Sequence, residues 1–161
     1  MIKLRSIALT LAAAGAAMLL GGFAHAETFS FTSTSEVTSQ VSIPLANGVM
    51  AGSAWIKGNS SRVSSKTGES TSTFVCASHT NRPSELYNLV NMCDVTEKDG
   101  GTFGILAGCN FLNKERTESN CIGGLFGKTG VYKDRRGTIS WHIKQNAEGK
   151  AASTGAGVWN E

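Results

Sequence analysis

The chain has 161 residues, with 15 Lys and Arg against 12 Asp and Glu, 3 His and 4 Cys. Lys3 and Arg5 lie in a leader-like N-terminal segment, and without them thirteen basic residues face twelve acidic ones, a net charge of about +1. That balance, with no basic stripe, excludes a polyanion-binding surface and so nucleic acid as a partner; the length suits one domain with a moderate core.

Residues 1–26 read as a signal peptide. Lys3 and Arg5 form the positive start, residues 6–20 are an apolar run, Gly21 and Gly22 end it, and Ala24-His25-Ala26 supplies the small-x-small cleavage pattern. The run is shorter than the roughly 20 residues a membrane span needs, and no Cys follows the cleavage site. The expectation is a secreted protein, located in the bacterial periplasm, that begins at Glu27 and keeps no stable membrane anchor.

Residues 27–161 read as one all-β domain. Phe29 and Phe31 alternate with Thr28, Ser30 and Thr32; Val37, Val41 and Ile43 follow, then Pro44 and the hairpin signal Asn47-Gly48. Residues 49–57, with Trp55 and Ile56, form the next run, which Gly58-Asn59 is expected to break. Residues 62–65 and 70–77 flank the turn Thr67-Gly68. Residues 83–90, with Pro83 at an early position, are the one place for a short helix of about one turn.

Residues 93–97 and 102–112 then flank Asp99-Gly100-Gly101, and residues 114–118 make a charged turn before a run over 120–126. The clearest strand covers 138–144: Ile139, Trp141 and Ile143 share one face, while Ser140, His142 and Lys144 share the other. A turn at 146–149 leads to a last run ending Gly157-Val158-Trp159, whose small residues suit a crowded interior. The pattern gives about eight to ten strands on short turns and at most one short helix. Such a meander pairs antiparallel and closes on itself, an up-and-down, lipocalin-like barrel.

Cys76, Cys93, Cys109 and Cys121 all lie after the leader, and an even number in an exported chain reads as two disulfides. Cys76 and Cys93 are symmetric about residues 83–85, and Cys109 and Cys121 about the turn near Glu115. Cys93 and Cys109 are also symmetric, about Gly101, so two pairings remain. Cys76–Cys93 with Cys109–Cys121 is preferred, because the alternative joins Cys76 to Cys121 across more sheet. No C-x-x-C occurs and His79 and His142 are far apart, so neither a metal nor a cofactor is expected.

Gly127-Lys128-Thr129 imitates a phosphate-binding loop, but the first glycine of that motif would fall at Ile122, and no helical pattern follows. The surrounding residues, Gly127-Lys128-Thr129-Gly130-Val131-Tyr132 with Arg136-Gly137-Thr138 and Trp141, resemble a G-x-T-G-x-[FY]…G-T pattern of small secreted barrels of the allene oxide cyclase and dirigent-like type. About fifteen residues carry the resemblance, and Lys128 and Asp134 stand where that pattern has glycine. It implies an allene oxide cyclase-like barrel in which glycines permit turns and the aromatics fill the interior. Members guide cyclisation or radical coupling in an apolar barrel, but no catalytic residue can be carried over.

Other site candidates are weak. There is no G-x-S-x-G, and His79 and His142 show no positioned partner, so both read as surface residues. Glu115 and Glu118 among Lys114 and Arg116, and the run Lys133-Asp134-Arg135-Arg136, read as solvated charged loops, the latter with some capacity for an anion. Trp55, Tyr132 and Trp141 are the candidate lining of an apolar site, since barrels of about eight strands either fill their interior or hold one small ligand. The leading expectation is binding of a small apolar or aromatic molecule inside the barrel. The alternatives are a barrel cyclase or isomerase, and a protein-binding envelope module or inhibitor acting through a loop such as 114–118. The sequence leaves oligomerisation open.

Overall fold

Eight strands follow one another along the chain: β1 Glu27–Pro44, β2 Met50–Ser64, β3 Gly68–Thr80, β4 Leu89–Glu97, β5 Thr102–Phe111, β6 Glu118–Gly127, β7 Arg136–Gln145 and β8 Lys150–Asn160. In the computed structural model each pairs antiparallel with the next, and β8 returns to β1, closing an up-and-down barrel. Residues 26–45, 50–81 and 85–160 are described. Residues 1–25 of the segment read as a signal peptide, the Asn47-Gly48 turn and Pro83 lie outside them.

The closure is staggered. Following directly paired residues from Phe29 through Gly157, Ile139, Gly123, Ala107, Asn91, Ser78 and Ala54 leads back to β1 at Gln40, not Phe29. Such a shear requires the strands to tilt across the barrel axis. One consequence is that β1 outruns the wall: its pairing with β8 ends at Glu36, and that of β2 with β3 begins at Ser53. Residues 42–44 and 50–52 therefore find strand partners only in each other, as the tip of a ribbon projecting from one end. A register shift between Val37 and Ser39 marks where the ribbon leaves the barrel.

Alternation decides which side chains fill the interior, and glycine makes the room for the large ones. A Cβ on Gly157 would overlap the Phe29 ring, and one on Gly58 would overlap that of Phe74. Both rings therefore lie flat across a neighbouring strand. Gly157→Val is expected to displace Phe29 and lower the unfolding free energy by about 1–3 kcal/mol, an overpacking cost; urea denaturation checks it, and an unchanged midpoint would contradict this packing.

One end of the barrel is solid. Trp159, Tyr132, Leu125 and Phe103 are buried there, with Tyr132 and Trp159 ring centres 5.1 Å apart and Phe103 edge-on to Trp159 at 5.3 Å. Tyr132 reaches this position from a 3-10 turn, Gly130–Tyr132, whose first residue has φ of 62°. The Gly127-Lys128-Thr129 stretch thus ends β6 and enters this plug, with no α-helix after it.

Two expectations for local structure are corrected. Gly58-Asn59 does not break β2, which runs unbroken because Gly58 accommodates Phe74. Residues 85–88 are not helical: the Asn88 amide already donates to the Cys109 carbonyl, and the Asn88 side chain accepts from the Phe111 amide, so the chain is committed to β5. Among the described residues the one helical turn is that carrying Tyr132.

Both disulfides join directly opposed residues, Cys76–Cys93 across β3 and β4 and Cys109–Cys121 across β5 and β6. The competing pairing has no register to use, because Cys93 faces Ile105 and Cys109 faces Leu89.

Candidate ligand-binding cavity

Above the aromatic plug the interior is not filled. A cavity of about 110 Å³ remains, walled mainly by Phe31, Phe74, Ile105, Trp141 and Ile143. The register also writes a polar stripe into it. Glu97 faces Ser72, Ser72 faces Ser60, Ser60 faces Ser33 and Ser33 faces Ser153, and all five line the cavity. The cavity has an apolar wall, a hydroxyl-bearing wall and, where it meets the plug, a charged group.

That group is a buried network. Arg62, 5 % exposed, donates to the Tyr132 hydroxyl oxygen. Its Nε lies 3.4 Å from Glu97 Oε1 and its Nη1 4.0 Å from Glu27 Oε1. Glu27 in turn accepts from Ser64 and from Arg135, at 2.7 Å. The Arg62 guanidinium also lies over Phe29 and Tyr132, 5.5 and 5.3 Å from the ring centres, and Arg135 lies over Trp159 at 5.4 Å. Two carboxylates and two guanidiniums balance, which is what permits their burial.

The protonation states follow. Burial pushes the Glu27 carboxyl up, but the hydrogen bonds from Ser64 and Arg135 and the charges of Arg135 and Arg62 outweigh it, leaving its pKa below the ordinary 4.5. Burial pushes the Tyr132 phenol up to about 12, against the charge of Arg62, so it stays neutral. A depressed carboxylate contributes stability in full above its unfolded value and loses it as pH falls through the folded value. Glu27→Gln should therefore be less stable at neutral pH and should lose less stability than the parent as pH drops below about 4.5. Thermal melts across that window test this; parallel curves would contradict the assignment.

The aromatics singled out in the sequence are separated by the fold. Trp141 lines the cavity, and Tyr132 is sealed in the plug. Trp55 is corrected: it points outward and is 56 % exposed, because on β2 the inward set is Ala54, Ile56, Gly58, Ser60, Arg62 and Ser64. His142 is on the outer face with Asn120 and Glu118, at 2.8 and 3.6 Å. Lys128 pairs with Asp94 at 2.9 Å. The Lys133–Arg136 run is not uniformly solvated, since Arg135 turns in to Glu27.

Sequence reasoning missed Glu27, Arg62, Glu97 and Arg135. The available signal was parity: Arg62 shares its face with the small residues of β2, and Glu97 with Cys93 and Val95. No protein-family model matches the chain, and no curated protein matches it either.

Proposed function

We propose that this is an exported binding protein that holds one small apolar or aromatic molecule, non-covalently, inside the barrel. The observation that carries the reading is the unfilled, mainly apolar interior beside a fully packed plug. Two disulfides fit an oxidising compartment, extracellular or periplasmic, as does the signal-peptide pattern of residues 1–26. A cavity near 110 Å³ is of the order of one that accepts benzene, so the guest is about one ring in size.

Titration with toluene and indole, followed by thermal shift, tests this. Ligand at 100 times its dissociation constant stabilises the fold by about 2.7 kcal/mol, and Ile105→Trp, which fills the cavity, should remove the shift. Failure of every small aromatic to raise the melting temperature would sink the reading.

One observation favours a second reading, a cyclase or isomerase of the kind the allene oxide cyclase and dirigent-like resemblance implies. An ionisable pair, Arg62 and Glu97, borders the cavity, where the guanidinium can orient a guest and the carboxylate can take a proton from it. Turnover abolished in Glu97→Gln with binding retained would support catalysis; binding without conversion would leave the protein a carrier. Interaction with another protein through residues 114–118 remains the reading to adopt if the interior takes no ligand.

A further inference from the structure

We infer that the guest is a neutral, single-ring aromatic whose one polar substituent both donates and accepts a hydrogen bond, as a phenolic hydroxyl does. This rests on the cavity-binding reading and adds the ligand's chemistry.

Arg62 and Glu97 are more than nine-tenths buried, and both line the cavity. Each keeps one polar atom without a hydrogen-bond partner among the described residues: Nη1 of Arg62, which has Glu27 Oε1 no nearer than 4.0 Å, and Oε2 of Glu97. Buried polar groups are almost always partnered, and these two belong to adjacent groups, with Arg62 Nε 3.4 Å from Glu97 Oε1. One atom is a donor and the other an acceptor. Their complement is a single group that accepts from the guanidinium while donating to the carboxylate. A hydroxyl does both; a methyl does neither.

Charge removes the ionic alternatives. Arg62 and Arg135 are already matched by Glu27 and Glu97 within the network. An anionic or cationic guest would leave one buried charge uncompensated, a costly arrangement. Asn91 also has an unpartnered oxygen, but it stands six positions before Glu97 on β4, about 20 Å along the strand at the usual rise. One ring cannot span both, so Arg62 and Glu97 anchor the polar group while Phe31, Phe74 and Trp141 border the ring.

The experiment compares phenol, toluene and benzoate on the disulfide-intact protein, following the Trp141 indole signal by NMR. Phenol should bind at least about tenfold more tightly than toluene, and benzoate more weakly than phenol. In Glu97→Gln, with folding confirmed by its melt, the preference for phenol over toluene should fall about fivefold as the charge-assisted bond is lost. Toluene binding as tightly as phenol, or an unchanged preference in the variant, would overturn this inference while leaving the cavity reading intact. Benzoate binding more tightly than phenol would overturn it too. No binding by any probe would remove the cavity reading itself.

Discussion

Arg62→Met should lower the unfolding free energy by about 3–5 kcal/mol, the usual consequence of removing one partner from a buried ion pair. Met restores much of the volume and the contacts over Phe29 and Tyr132. What it cannot restore is charge: Glu97 loses the guanidinium 3.4 Å away, and Glu27 loses that of Arg62 while keeping Arg135. The Tyr132 hydroxyl loses its donor. Because the cost comes from stranded carboxylates, the double variant Arg62→Met/Glu97→Leu should recover a substantial part of it, a coupling that single substitutions cannot reveal. Urea denaturation of the four members of that cycle measures it. A single-variant loss below about 1 kcal/mol, or no recovery in the double variant, would show that the network is solvated.

Loss of both disulfides has an effect of similar or larger size. The bridges close loops between residues 17 and 12 positions apart, and the chain-entropy estimate for loops of that length is about 3 kcal/mol each. Their sum, about 6 kcal/mol, approaches the entire stability of a typical small domain, about 5–15 kcal/mol. Cys→Ala replacement at all four positions, or full reduction, should therefore bring the barrel close to unfolding at 37 °C. Calorimetry with and without reductant reads this directly, and an unchanged melting temperature on complete reduction would contradict it.

The barrel was legible because its evidence is local. Alternation in β7 and turn residues every dozen positions determine strand order and hence antiparallel pairing. Symmetry about turns reduces the disulfide pairings to two, and the one with the shorter reach across the sheet is the one formed. The site was much less legible, and Trp55 shows why. In β2 the apolar residues Trp55 and Val63 share the outward face, while Ile56 faces in with the polar or small Gly58, Ser60 and Arg62. Hydrophobic periodicity there does not separate the two sides. Position 58 on the inward face carries no side chain because Phe74 comes from the neighbouring strand to occupy that space, a fact no single strand carries.

The charged network was hidden for a related reason. Glu27 and Arg135 are 108 positions apart and meet only once β8 has closed on β1, while Arg62 reaches Glu27 from the neighbouring strand of the β1–β2 hairpin. In sequence Arg135 is one of four consecutive polar residues and looks solvated; in the fold it stacks over Trp159. The glycine-rich stretch that imitates a phosphate loop is more informative in retrospect, since Gly130 and Tyr132 build the plug that leaves the cavity with a floor.

The cavity reading is tested most directly by intermolecular NOEs between toluene and the labelled protein. Binding inside the barrel predicts contacts from toluene to the Trp141 indole and the Ile105 methyl groups, both at the cavity wall. Contacts confined to the exposed indole of Trp55, or none at all, would contradict it.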